Sequence, residues 1–388
     1  MLTTQKEIST ATRVLSGPVK VNVVDPSAYT PPYDHALCAA LAAQGLEVEL
    51  VTSAFAYAAT PAPAGYRRRE LFYRAARGAP GSPLRRALKL AEHVPDMLRL
   101  RAVAASADLV HFQWLALPAL DGPLLPRGRP LVLTAHDVLP REGSPARRAA
   151  HARLLARFDA LIAHSQHGAN RLTAELGCDP ARVHVIPHGA FAHLAATPPA
   201  PLPAELAAES DQPVVICFGL IRPHKGLDVL LEAWPQVAPG AELWIVGRPR
   251  QDIAALRTGA PPSVRWVPRF VSDGELAACF RRAVLLVAPY REIEQSGVVA
   301  TALAFGTPLL LSDVGGFGEV ARAGAAELVA PGDAGALASA LTALLADRPR
   351  RERLSHAART LATGDWSWDS VARRTRALYE SLVRREPE

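Results

Sequence analysis

Cysteine is scarce. The 388-residue chain has four, at positions 38, 178, 217 and 279, with no Cys-x-x-Cys pair. That spacing argues against a disulfide scaffold and against a cysteine-rich zinc site; it fits a reducing compartment in which each cysteine is a small buried hydrophobe. No stretch approaches the roughly 18 uninterrupted apolar residues that a membrane-spanning helix needs. The opening MLTTQKEISTATRVLSGP lacks a long apolar core and does not read as a secretory signal, so residues 1–17 read as a flexible tail. Gly-x-Gly-x-x-Gly is missing from the turn after the first strand of either half, which disfavours a dehydrogenase. Asp-x-Asp occurs nowhere. Excess charge is also small: 43 Lys+Arg against 37 Asp+Glu give +6. With no aromatic-basic sheet motif, nucleic-acid binding is not expected, although the basic balance favours phosphorylated ligands or an anionic surface. What the chain has in quantity is apolar residues, at 49% against 21% charged, with mean hydropathy +0.08. That excludes a mainly disordered protein, and the length predicts about two or three domains.

Short apolar runs alternate with helical patterns, twice over. Val19–Asp25, Glu47–Thr52, 109–114 (LVHFQW), 130–137 (PLVLTAHD), 160–165 (ALIAHS) and 183–189 (VHVIPHG) read as strands. Asp34–Gln44 reads as a helix stopped by Gly45. Residues 195–213 then hold five prolines and little periodicity. Beyond them the alternation restarts at 213–220, 241–247, 263–267, 284–290, 308–313 and 326–330, with Ser272 and Glu275 spaced as a capping box. The last sixty or so residues read as helices. Continuous Val/Ile/Leu strands between helices indicate parallel sheets covered on both faces. The expected fold is therefore α/β, with two facing Rossmann-like doubly wound parallel-sheet domains, at 18–197 and 213–365. A linker spans 198–212, and a terminal helix and tail span 366–388.

Ligands of open α/β sheets bind beyond the carboxyl ends of the strands. There GLIRPHKGLDVLLEAW (219–234) places Arg222 and Lys225 between Gly219 and Gly226 at a strand-to-helix turn. Two cations beside a helix N-terminus make an anion site from fixed charge and free amides. A second segment, 289–320, closes a strand at Pro289–Tyr290 and continues through Arg291, Glu292, Glu294 and Gln295. It then starts an apolar helix at Ser296–Gly297. Small residues at that start let a phosphate approach the backbone, and the glutamates suit sugar hydroxyls. Taken singly, such a feature reads first as a solvated surface loop; together in one half they point to a phosphorylated ligand.

These residues resemble the family 4 glycosyltransferases, retaining nucleotide-sugar enzymes of the two-domain GT-B fold. The matching pieces are Gly-x-x-x-x-x-Lys-Gly (219–226), the ProTyr…SerGly…AlaPheGlyThrPro run (289–308), GlyGly-x-x-Glu (315–319), VHFQWLALPALD (110–121), TAHDVLP (134–140), DALIAHS (159–165) and VIPHG (185–189). The closing WSWDSVARRTRALY (366–379) resembles the family's terminal helix, which crosses back to the first domain. The resemblance implies that Gly219, Arg222 and Lys225 hold the donor diphosphate, with Ser296, Gly297 and Val298 presenting the helix start. Arg269 and Phe270 would border the nucleobase, and Glu292, Glu294, Gln295 and Thr301 would line the donor. His136, Arg222, Lys225 and Glu294 form the implied catalytic set. Where the family has two glutamates separated by seven residues, this chain has Ile293 and Thr301, and 27–34 (SAYTPPYD) lacks the family's Gly-Gly.

The implied reaction is retaining transfer of a sugar from a nucleoside-diphosphate sugar to a hydroxyl acceptor on a glycan, lipid-linked carrier or secondary metabolite. Developing charge on the diphosphate needs either a metal or fixed cations; without Asp-x-Asp, the cations and helix dipole are expected to suffice, with no metal and no cofactor. His136 is read as orienting groups at the reaction centre, His111 and His188 as structural. The basic run 66–101, in which Arg and Lys alternate with Leu, Phe and Tyr, is either a solvated helix face or a contact with anionic lipid. A cytoplasmic protein, working at the inner face of the membrane if its acceptor is lipid-linked, is the matching location. Three alternatives stand beside this reading: a nucleotide-sugar epimerase, a disaccharide phosphorylase, or a nucleotide-sugar-binding subunit without catalysis.

Overall fold

A computed structural model describes residues 17–56, 60–79, 81–138, 145–206, 210–237 and 239–384. Most of the predicted tail, at 1–16, and part of the TAHDVLP motif, at 139–140, lie outside them. The strands of the first half are β1 (Lys20–Asp25), β2 (Glu47–Ser53), β3 (Arg67–Phe72), β4 (Leu109–Phe112), β5 (Leu131–Thr134), β6 (Ala160–Ala163) and β7 (Val183–Val185). They form one parallel sheet in the order β3-β2-β1-β4-β5-β6-β7. Its helices are α1 (Pro31–Ala43), α2 (Pro83–Ala104), α3 (Pro118–Leu124), α4 (Pro145–Leu155), α5 (Gln166–Ala174) and α6 (Ala192–Ala196). In the second half β8 (Val214–Phe218), β9 (Glu242–Val246), β10 (Val264–Val267), β11 (Ala283–Ala288), β12 (Leu309–Ser312) and β13 (Ala326–Val329) pair in the order β10-β9-β8-β11-β12-β13, again in parallel. Helices α7 (Leu227–Ala233), α8 (Ala254–Thr258), α9 (Asp273–Arg282), α10 (Gly297–Phe305), α11 (Phe317–Arg322), α12 (Ala334–Ala346), α13 (Arg348–Thr363) and α14 (Trp368–Val383) complete it.

Local rules explain the elements. The Val/Ile/Leu-rich strands β1, β4, β9 and β12 are buried because helices cover both faces of each sheet. Gly45 ends α1 with φ +86°, a left-handed conformation that glycine adopts without a Cβ penalty. The Ser272–Glu275 capping box opens α9 as predicted. Each sheet carries an apolar cluster on each face.

The basic run 66–101 does not form the single helix its composition suggested. Its first part is edge strand β3, where Arg67 and Arg69 pair with Glu47 and Glu49 of β2, and Arg68 donates to Thr60 Oγ1. Charged side chains on an edge strand block pairing with another chain. The strand shows no apolar alternation, so periodicity missed it. Helix α2 begins only at Pro83, capped by Ser82.

The last helix crosses back to the first domain. Gln44 Nε2 donates to Asp369 Oδ1 at 2.6 Å, Arg376 donates to the Gln44 carbonyl at 2.7 Å, and the Tyr379 hydroxyl lies 2.5 Å from His111 Nδ1. Val371, Leu378, Tyr379 and Leu382 complete the α1 side of the first core, each worth roughly 1.5–3 kcal/mol on burial. The proline-rich segment is bound along the second domain: Arg281 donates to the Ala195 and Thr197 carbonyls, Arg282 to those of Ser210 and Gln212, and Leu206 enters the second core.

Candidate active site

Each sheet reverses its strand order once, between β1 and β4 and between β8 and β11, and such switch points open a crevice at the strand ends. At β8/β11 the chain leaves β8 through Gly219 (φ +109°). Here a Cβ would meet Val298 Cγ2 at 2.9 Å and Lys225 Nζ at 3.6 Å. Only glycine lets Lys225 and the start of α10 approach this closely. Gly226 is similarly constrained: φ is +64°, and a Cβ would fall 1.9 Å from the Pro289 carbonyl oxygen. The two loops are therefore in backbone contact. They are further joined by Arg291, whose amide donates to the His224 carbonyl and whose guanidinium grips Asp228 at 2.6 and 2.7 Å.

Lys225 Nζ donates to the Tyr290 hydroxyl at 2.9 Å and lies 4.4 Å from that ring's centroid. It has no carboxylate partner among the described residues, so its charge is uncompensated. Arg222 is exposed and also without a side-chain partner among them. Helix α10 starts at Gly297 with no side-chain cap, and Ser296 is buried. Its first amides consequently have no intrahelical acceptor. Gln295 Nε2 is buried without a hydrogen-bond partner, an unmet donor of the kind a ligand satisfies. These groups add up to an anion cradle: one half-buried ammonium, one exposed guanidinium, and the positive end of a helix.

Other predicted donor contacts are placed differently. The Arg269 guanidinium is occupied by Glu205 and Glu275, and these carboxylates push its pKa further up. Exposed Phe270 instead offers its ring to Arg248, 5.5 Å away. Thr301 is buried and its hydroxyl donates to the Gly297 carbonyl at 2.8 Å. Its hydroxyl is thus bonded back into its own helix. Glu292 is exposed without a partner among the described residues. Glu294 reaches across to the first domain, where it pairs with Arg171 and lies 3.9 Å from His167 Nε2. Burial nonetheless raises its carboxyl above the ordinary range. Nothing in the sequence around Arg171 singled it out, because its partner lies in the other domain.

The facing strand ends of the first domain carry a layer of rings. His136 follows β5, stacked on Trp114 (4.8 Å, 12°) and met edge-on by Tyr33 (4.8 Å, 86°). Its Nε2 lies 3.1 Å from Gln113 Oε1, and its Nδ1 lies 3.3 Å from His164 Nε2. Burial and the neighbouring His164, His188 and His111 hold His136 well below its ordinary pKa. Burial likewise lowers His164 to about 4, and His111 and His188 to about 3. All four rings are neutral near pH 7. His111 is fixed between Tyr379 and Thr134 Oγ1 (2.7 Å), and His188 donates from Nδ1 to the Gly189 carbonyl at 2.8 Å. Their structural reading agrees with these contacts. Beside this layer, Asp25 accepts from the Ser27, Tyr29 and Thr30 amides and shares its buried surroundings with Asp34. Burial raises both carboxyls, Asp34 the more strongly. This pair organises the turn that lacks Gly-Gly, and sequence reading passed over it.

The domains meet at α5. The His167 amide donates to Glu319 Oε1 at 3.2 Å, and a Cβ on Gly316 would lie 3.0 Å from that of Ser165. Between them lies a cavity of about 500 Å³, lined from one side by Asp137, Arg148 and Arg171 and from the other by Glu292, Glu294 and Gly315. No group of three or more His, Cys, Asp or Glu side chains among the described residues is arranged to hold a metal ion.

Sequence profiles agree with this architecture. One described as Glycosyltransferase Family 4 matches residues 33–190, and one described as Glycosyl transferases group 1 matches 212–347. The D-inositol 3-phosphate glycosyltransferase of Nocardia farcinica is 30% identical over 376 residues, 88% of this chain and 82% of that protein. Sucrose-phosphate synthase from Thermosynechococcus elongatus superposes with TM-score 0.72 at 22% identity, covering 94% of this chain and 99% of its own. Anabaena HepE in complex with UDP-glucose superposes with TM-score 0.72 at 18% identity, covering 94% and 100%.

Proposed function

The chain belongs to the family 4 and group 1 glycosyltransferases, and on that premise we propose that it transfers a sugar from a nucleoside-diphosphate sugar to a hydroxyl acceptor, with retained configuration and without a metal ion. One observation carries the reading: the uncompensated Lys225 ammonium and the uncapped start of α10 converge at the β8/β11 switch point beside Arg222. The bond from the anomeric carbon to the diphosphate oxygen breaks, and a bond to the acceptor oxygen forms on the same face. The acceptor's proton passes to the departing phosphate. Lys225, Arg222 and the α10 amides carry the charge that grows on the diphosphate, the task a metal performs elsewhere. His136, held neutral by burial, orients a hydroxyl and takes no part as nucleophile. The nucleotide sugar also draws support from HepE, which is recorded with UDP-glucose.

An acceptor attached to lipid is supported by α2. Leu84, Leu90, Val94 and Leu98 are exposed along it, with Ala87 and Ala91 exposed between them and exposed Arg86 nearby. An apolar stripe flanked by cations suits the surface of an anionic bilayer. Among the described residues no helix is long and apolar enough to cross a membrane.

The test is a panel of nucleotide sugars screened by thermal shift, then followed for slow hydrolysis without acceptor in EDTA. A true donor stabilises by mass action, about 2.7 kcal/mol at 100 times its Kd, and is hydrolysed. Activity lost in EDTA and restored by magnesium would refute metal independence; binding without hydrolysis or transfer would mark a non-catalytic subunit.

A further inference from the structure

A second cavity, of about 450 Å³, lies wholly in the first domain, between the segment after β4 and helix α4. Leu115, Pro118, Ala119, Ala150 and Leu154 give it an apolar lining, and the stacked Trp114–His136 pair forms part of its wall. Its size falls within the range of small-molecule sites. Two features tie it to the chemistry. His136 belongs to its lining, and Asp137, the next residue, lines both this cavity and the interdomain one. The two spaces thus share a border beside His136. The donor cradle, by contrast, is built from polar and charged groups of the other domain.

We propose that this cavity holds the apolar part of the acceptor, an alkyl, prenyl or aryl group, and so presents the acceptor's hydroxyl past His136 to the interdomain space. The assignment rests on the glycosyltransferase reading and adds the acceptor's chemical class to it. Gln113, Thr134, Asp137, Arg147 and His151 also line the cavity, but a polyhydroxylated acceptor would leave its Leu, Pro and Ala wall unfilled. The wall helix α3 is joined to α2 through the buried His93–Asp121 contact at 2.6 Å.

The experiment compares octyl β-glucoside, below its micelle concentration, with methyl β-glucoside by ligand-observed NMR on the full chain. The head group is the same and only the apolar tail differs. The octyl compound is expected to bind at least about 100-fold more tightly, from burial of its extra methylenes. Ala150→Trp and Ala119→Phe, on opposite walls, should each weaken it about tenfold or more while thermal unfolding confirms a folded chain. Equal binding of both glucosides, or octyl binding unchanged in both variants, overturns the proposal; the latter would point to the exposed face of α2. With a donor from the hydrolysis screen, saturating octyl glucoside should divert or suppress hydrolysis several-fold, and methyl glucoside should not. Unchanged hydrolysis would refute the acceptor role and leave the donor reading intact. Absence of any hydrolysis or transfer would refute the transferase reading and leave the binding result to decide the cavity.

Discussion

Lys225 and Arg222 are neighbours in sequence but not in environment, and their contributions should differ accordingly. The Lys225 ammonium is half-buried, fixed 2.9 Å from the Tyr290 hydroxyl and against Gly219. A phosphate oxygen about 4 Å away interacts with it by about 4 kcal/mol at an effective dielectric of about 20. Part of this is offset by desolvation and by the tyrosine contact it already has, leaving about 2–3 kcal/mol. Arg222 is exposed, its charge is screened by water and salt, and about 1 kcal/mol is expected. For kcat/KM of nucleotide-sugar hydrolysis, Lys225→Ala should therefore cost about 30- to 150-fold and Arg222→Ala about 5-fold. The Arg222 loss should shrink at high salt, and the Lys225 loss should persist. Lys225→Arg should not restore activity, since a forked guanidinium does not fit the point-charge niche beside Tyr290. If Arg222→Ala were equal to or worse than Lys225→Ala, the placement of the diphosphate against Lys225 would be wrong.

Gly226→Ala combines a left-handed φ with a Cβ 1.9 Å from the Pro289 carbonyl oxygen, so a loss on the order of 3 kcal/mol is expected; an unchanged thermal midpoint would contradict it. Acid should destabilise the fold early. The unfolded chain protonates His111, His136, His164 and His188 near pH 6.5, whereas burial keeps folded His164 neutral to about 4 and His111 and His188 to about 3, and holds His136 well below its ordinary value. Each therefore removes about 1.4 kcal/mol per pH unit below about 6.5 until its folded pKa is reached. The raised carboxyls of Asp25 and Asp34 act with the opposite sign, because the folded state binds their protons at higher pH than the unfolded. Urea midpoints at pH 7, 6 and 5 should fall in that order, and a flat series would refute the histidine argument. Replacing both Leu90 and Leu98 by Ser should weaken sedimentation with phosphatidylglycerol vesicles on the order of 100-fold; undiminished binding would clear α2 of membrane contact.

The strand ladder and its twofold repetition were legible in the sequence because buried parallel strands are written as uninterrupted apolar runs, a local property. Gly219, Lys225, Gly226 and the Ser296–Gly297 helix start were legible for a similar reason: a strand-to-helix turn needs its glycines and its cations within a few residues. Edge strand β3 was not, since one neighbour and a solvated edge impose no apolar alternation, and its arginines imitate a basic helix. What depended on contacts between distant residues was settled only in three dimensions. Glu294 is held by Arg171 of the opposite domain, and Arg269 is held by Glu205 and Glu275. The four neutral histidines owe their state to one another and to Tyr33, Trp114 and Tyr379, up to 268 positions away along the chain. Charge pairing, burial and cavity walls are properties of what is brought close by folding, and a linear pattern records only the residues available for it.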